Sequence, residues 1–407
     1  MRKTDYAIIF LICLYIILLP LAPSSSYEWG LCLLFLAVGL IYLLEIIFCI
    51  GVSESFKENF KTIMLNKFNI LFIALVLIMT VSSMYSKDKI VSIKVSLRFL
   101  YYLYIYLIIR FRINKVDFYE LLIKVYMFST LVLSTYGLYD FISHYDKKNT
   151  LDFILDNRRL TATLGHYNSY GAYLVLAVFP AMMLAFKLRG KSKIYFSILS
   201  LILCTNLALT FSRNAWLALA VGILLLTVLY DWKFIILCIV PTVFVTLVPN
   251  ILQRIRLIRY SGVNQGRIRL WKIAEKIIDE NLFLGIGSGN FANTYKGYVE
   301  RFPEYKGFNV ETIPPHNSYI KVFAELGIFG AMTFLLLCIE MVRKVYYVSQ
   351  HSHGLVQKFY SGYFISVICF LIMNCFDDLF FTPKVTALFI IFISLAFSCD
   401  SKIGYIK

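Results

Sequence analysis

Apolar runs dominate this chain, and its polar residues gather almost entirely between them. A helical membrane span needs about 20 apolar residues. Such runs fall near 6–22, 29–50, 68–85, 90–109, 118–142, 168–187, 194–211, 214–230, 233–250, 317–342, 356–376 and 384–400. The pattern predicts an all-α polytopic membrane protein of about 12 transmembrane helices. Residues 1–250 hold helices 1–9, and 317–407 hold helices 10–12. Between them, 251–316 forms a long, partly helical extracytoplasmic loop. The opening MRKTD and the run to Ala22 resemble a signal peptide, but no A-x-A cleavage site follows, so an uncleaved first helix is expected.

Composition agrees with the pattern. At 59% hydrophobic, the 407 residues are too apolar for a soluble globular protein. The formal charge of +16 lies mostly in short loops and is not a nucleic-acid footprint, so no nucleic-acid partner is expected. The lysines and arginines of short loops concentrate on one side, at Lys57, Lys61, Arg110, Arg112, Arg189, Lys191 and Arg343 among others. By the positive-inside rule both termini are cytoplasmic and the long loop lies outside. The nine cysteines sit in or beside apolar runs with no CxxC pair, which argues against disulfides and zinc.

Candidate chemistry collects on the expected outer face. Pro314 and Pro315 precede His316, Asn317 and a long apolar helix. Proline suits the first helical turn, so His316 and Asn317 belong at a helix mouth. The positive end of a helix favours a neutral imidazole, which can take a proton; the alternative is an interfacial packing histidine. Trp271, Ala274, Ile277 and Ile278 recur at helical spacing, predicting an amphipathic helix over 267–280 near the membrane surface. Arg267 and Trp271 share one face of it. They are either an interfacial pair or a phosphate clamp beside a ring that packs on lipid or sugar. Gly285, Gly287 and Gly289 form a GxGxG run without the βαβ context of a dinucleotide site, so a tight turn or a close backbone approach is expected. Arg213 stands between two spans with almost no loop around it, and either snorkels or faces an anionic ligand.

Several charges lie inside spans. Glu120 with Lys124, and Lys321 with Glu325, are oppositely charged and four apart, so they can pair. Lys94 and Arg98 repel and need a common acid or a polar cavity. Asp377 and Asp378 end the eleventh span; they are either solvated or orient a base or an acceptor.

Arg159, Arg213, Arg267 and His316 together suit a substrate with a lipid tail and a diphosphate head. Guanidinium forks bind phosphate oxygens bidentately. No DxD or carboxylate cluster demands a metal, and no cofactor is expected.

Four pieces in this order resemble the O-antigen ligase superfamily of membrane glycan transferases: GHYNSYGAYL at 165–174, TFSRNAWLALAVG at 210–222, GRIRLWKIAEKIIDENLFLGIGSGNF at 266–291 and PHNSYIKVFAELGIFG at 315–330. The resemblance covers roughly 159–340. It implies a GT-C-like, inverting, metal-independent transferase. The donor would be a polyprenyl-diphosphate-linked glycan, the acceptor a glycolipid or glycan, and the setting the lipid bilayer of a bacterial inner membrane, on its outer face. His316 would be the base, Arg213 and Arg267 would bind the diphosphate with Arg159 as a third cation, and Asn317, Asp377 and Asp378 would give support. Asn214 stands where the family often has glycine. Transfer to a lipid A–core acceptor is the first expectation and polymerisation of repeat units the alternative. A 12-helix solute transporter is the competing class, against which stands the absence of duplicated halves.

Overall fold

The computed structural model describes residues 3–22, 25–48, 64–113, 116–143, 159–236, 263–306 and 313–399, with single positions at 54, 57 and 60. The chain is a multi-pass all-α membrane protein, and no strand occurs among the described residues. Its helices are α1 (Lys3–Leu21), α2 (Ser25–Phe48), α3 (Lys67–Tyr85), α4 (Lys89–Arg112), α5 (Val116–Ser143), α6 (Tyr167–Lys187), α7 (Gly190–Leu209), α8 (Arg213–Leu229), α9 (Val263–Glu280), α10 (Phe291–Arg301), α11 (Ser318–His351), α12 (Gly354–Met373) and α13 (Pro383–Ser398). Nine of the described helices are long and apolar enough to cross a membrane, and α8 and α13 are shorter apolar helices. These account for eleven of the expected spans. The expected span at 233–250 opens on a short 3-10 turn, Trp232–Ile235, and from 237 onward lies outside the described residues. So do Lys147, Lys148 and Arg158 of the 143–167 loop, and residues 251–262 of the long polar segment.

Helix α6 is the centre of the bundle. Its sequence is apolar on every side, the signature of a helix with no lipid-facing stripe, and it is buried along nearly its whole length between α7, α8 and α12. Pro180 removes the N–H that would bond Leu176 O. Ser366 of α12 compensates, its hydroxyl donating to Val175 O at 2.8 Å and Leu176 O at 3.2 Å. At the end away from the site, Arg112 closes α1, α2 and α4 together by pairing with Asp5 and with Glu45, the latter at 2.8 Å.

Helix α11 differs from the single uninterrupted span expected over 317–342. It continues to His351, and it breaks at Gly327, whose φ of 65° and ψ of −166° lie outside helical space. The break frees backbone groups that would be costly unpaired. The GxGxG loop fills them: Ile286 N–H donates to Ala324 O at 3.0 Å, Gly287 N–H to Glu325 O at 2.8 Å, and Leu282 O accepts from Ile328 N–H at 2.9 Å. Glycine is required on both sides of this contact. A Cβ on Gly285 would lie 2.4 Å from the Glu325 carbonyl carbon, and one on Gly327 2.1 Å from Phe283 O. The buried Glu325 carboxylate then caps α10 in place of a local side chain, accepting from Gly289 N–H at 2.7 Å and Phe291 N–H at 3.2 Å while pairing with Lys321 at 2.6 Å. Glu120 and Lys124 also pair, at 3.5 Å.

Gly327→Ala is therefore expected to destabilise the protein by at least the 1–3 kcal/mol that a sparsely populated backbone conformation costs, before the clash is added. Its thermal unfolding midpoint in detergent should fall by several degrees; an unchanged midpoint would show that the break is not held as described.

The apolar face of α9 does not lie free at a membrane surface. Leu270, Ile273, Ala274 and Ile277 pack on Phe291, Tyr295 and Tyr298 of α10 and on Ala324 of α11, forming a second small core. A helix with a strong apolar stripe buries it wherever protein surface is nearest, and here the neighbouring helix supplies it.

Candidate active site

The site is built where five chain segments meet at one end of the bundle. Pro314 and Pro315 precede the start of α11 rather than forming its first turn. The N-cap is Asn317, whose Oδ1 accepts from Tyr319 N–H and Ile320 N–H, both at 3.0 Å. Its amide also donates to Cys375 O at 2.9 Å, and Ser318 N–H donates to Asn374 O at 2.9 Å. Two segments distant in sequence are thus locked together, and His316 stands immediately outside the cap. Its φ is +50°, a left-handed conformation unusual for a side-chain-bearing residue. Trp271 of α9 holds this strained entry, its indole N–H donating to Pro315 O at 2.9 Å. Neither reading of Trp271 anticipated this bond, by which its polar edge serves as a strut under the histidine.

His316 Nδ1 lies 3.2 Å from Asp377 Oδ1. The histidine side chain is 28% exposed and that of Asp377 only 9%. Burial pushes the Asp377 carboxyl up, but the bond from His316 and that from Asp378 N–H outweigh it and hold the group at about 2. Asp377 is therefore an anion and an acceptor at neutral pH, so Nδ1 carries the hydrogen and Nε2 of a neutral ring keeps its lone pair. Asp377 Oδ1 also accepts from Asp378 N–H at 3.0 Å, and Oδ2 from Asn168 Nδ2 at 2.5 Å. Asn168 is fixed in turn, its Oδ1 accepting from Ser212 Oγ at 2.7 Å, while Ser212 Oγ caps α8 through Ala215 N–H at 3.2 Å. One relay thus runs from the residue before Arg213 to His316.

Asp378 faces differently. Burial raises its carboxyl to about 6, with Lys321 opposing and the Asp377 charge adding to the rise. Ligand atoms of His316, Asp377 and Asp378 lie within 4.8 Å of one another. Within the trio His316 Nδ1 and Asp377 Oδ1 bond each other, and Asn168 takes Asp377 Oδ2.

The arginines gather beside this pair. Arg213 opens α8, and the charges of Arg267 and Arg159 both act on it. The Arg159 guanidinium lies 4.1 Å from the Tyr167 ring centroid. His166 joins the group, though sequence reasoning gave it no role. Partial burial lowers its pKa first; Asp377 pulls it up, and the charges of His316 and Arg159 lower it again. Its Nδ1 accepts from Asn168 N–H at 3.2 Å, which leaves Nε2–H of the neutral ring as a donor. His166, Asn168 and Ser212 were all missed as site residues. The only signal for them was their place in short polar motifs at the mouths of spans.

Residues 195–335 match the family model described as O-antigen ligase. That stretch contains Arg213, Arg267 and His316. A curated O-antigen ligase from Salmonella typhimurium is 26% identical over 236 residues, covering 51% of this chain and 56% of the relative. The chain thus aligns to just over half the length of that relative. Both findings support the O-antigen ligase superfamily.

Proposed function

We propose that the protein transfers a glycan from a polyprenyl-diphosphate carrier to an acceptor hydroxyl, on the outer face of a bacterial inner membrane with both termini cytoplasmic. Family similarity supports a membrane glycan-transferring function. The observation that carries the finer reading is a histidine held by a buried carboxylate beside three arginines. The acceptor hydroxyl gives its proton to His316 Nε2 as its oxygen bonds the anomeric carbon. The bond from that carbon to the diphosphate breaks on the opposite face, and the configuration inverts. The electron pair leaves on the diphosphate, whose charge Arg213, Arg267 and Arg159 receive. Fixed donors aimed at developing charge are worth several kcal/mol in such a site. His166 Nε2–H is a fourth, neutral donor. Asp377 orients the base, while Asp378 and Asn317 position Asp377 and the helix entry.

Arg213→Lys and Arg267→Lys should each weaken donor use by about tenfold or more, because an ammonium keeps the charge but loses the bidentate fork. The KM for donor in reconstituted vesicles measures this, and full rescue by lysine would remove the diphosphate role.

The deciding experiment supplies purified protein in proteoliposomes with a polyprenyl-diphosphate oligosaccharide and two acceptors, lipid A–core and a second lipid-linked repeat unit. Product on lipid A–core is expected, with no loss of rate in chelator. Product only on the repeat unit makes the protein a polymerase, and a requirement for a divalent ion assigns the His316–Asp377–Asp378 trio to a metal instead. No product on either, with donor binding intact, sinks the transferase reading.

A further inference from the structure

Two cations of α4 have no place in the site just described. The start of α4 is tied to the site end of the bundle, where Asp88 N–H donates to Asn290 Oδ1 at 2.8 Å and the Asp88 side chain accepts from Val91 N–H at 3.1 Å. At 1.5 Å per residue, Lys94 lies about 8 Å and Arg98 about 14 Å along the axis from Lys89. Both fall within a helix long and apolar enough to cross a membrane. Lys94 is exposed among Ile90, Ile93 and Leu97, which are also exposed and form a bilayer-facing surface. Arg98 is half-buried and borders a cavity of about 40 Å³ with Tyr15, Leu19, Cys32, Tyr101, Tyr102 and Pro383.

Among the described residues, neither cation has a hydrogen bond or an ion pair. Three other cations inside these spans are paired: Lys321 with Glu325, Lys124 with Glu120, and Arg112 with Asp5 and Glu45. Two like charges one helical turn apart repel, and a charge within a span is costly unless it is paired or reaches a polar surface. Helical side chains lean toward the helix N-terminus, which here is the end nearest the surface. Lys94 and Arg98 therefore both reach upward along one face, with Cβ atoms about 5–6 Å apart. That spacing suits the oxygens of a single phosphate, with lipid chains lying on Ile93 and Leu97 below it.

We propose that Lys94 and Arg98 form a lipid-phosphate site on the outer wall of α4, at the edge of the cavity between α1, α2 and α13. Its occupant is a phosphate-bearing lipid of the leaflet on the site side. The site stands apart from the three arginines and holds whether or not the protein transfers glycans.

Native mass spectrometry of the detergent-purified full chain tests it. The probes are phosphatidylglycerol, a bisphosphorylated glucosamine-based glycolipid and diacylglycerol. The wild-type protein should retain the two phosphate lipids and not diacylglycerol. Lys94→Gln/Arg98→Gln should lower that retention about tenfold, while Lys94→Arg/Arg98→Lys keeps it. The better-retained phosphate lipid names the source as bulk bilayer or glycolipid. Equal retention by the glutamine variant, or equal retention of diacylglycerol, overturns the proposal. If the glutamine variant fails to fold, a photoactivatable phosphatidylglycerol is crosslinked to the wild type. Enrichment on peptides spanning 89–105 supports the site, and labelling without that enrichment overturns it.

Discussion

Glycan transfer by His316→Ala should fall about 10²–10⁴-fold, the usual worth of a positioned general base, while donor binding changes little. The alanine cannot accept the acceptor proton, but it leaves Arg213, Arg267 and Arg159 in place. The effect should thus appear in turnover rather than in donor affinity. Neither Asp377, with both oxygens engaged, nor His166, whose Nδ1 caps α6, is free to replace it. Single-turnover transfer in reconstituted vesicles, alongside donor binding measured separately, distinguishes the two quantities. A variant that transfers at the wild-type rate would end the histidine mechanism. A variant that instead loses donor binding would place His316 among the diphosphate ligands.

Asp377→Asn should be nearly as damaging, by about 10²–10⁴-fold, as when the orienting carboxylate of a histidine base is amidated elsewhere. The hydrogen-bond directions explain why. Oδ1 accepts from His316 Nδ1–H and from Asp378 N–H, and Oδ2 accepts from Asn168 Nδ2. An amide has one oxygen for these three donors. With the oxygen toward His316, its NH₂ meets the Asn168 NH₂, which can turn only by giving up Ser212. With the oxygen toward Asn168, the NH₂ faces His316 and forces the hydrogen onto Nε2, where the lone pair is needed. The fold also loses the stabilisation this anion contributes. Its folded pKa of about 2 lies below the ordinary 3.8, so the contribution is present above 3.8 and fades as pH falls toward 2. At neutral pH the amide variant should therefore unfold at a lower temperature, and at pH 3 the gap should narrow. An Asp377→Asn protein with wild-type turnover would reduce Asp377 to a packing residue.

Much of this molecule is legible in one dimension. Uninterrupted apolar length fixes where helices cross a bilayer, because an unpaired backbone group in lipid is too costly for any other described element; eleven of the expected spans therefore lie close to where the apolar runs place them. The arginines and His316 were also visible, since a charge or an imidazole at the mouth of a span stands out against apolar neighbours. Asp377 was visible as a candidate, though with two roles still open. What the sequence left undetermined is everything that depends on which residues approach across the bundle. Nothing near Gly327 says that α11 breaks there, because the break is held by carbonyl and amide groups of the loop 282–287. The stripe on α9 announced an apolar surface but not its partner, and α10 rather than lipid covers it. His166, Asn168 and Ser212 read as ordinary polar residues at helix starts. Their role in holding Asp377, and through it the aim of the His316 ring, arises only when α6, α8 and the end of α12 converge. Hydrophobic length is a local property of the chain, whereas a relay of hydrogen bonds belongs to contacts between residues as far apart as 168 and 377, and only packing decides those.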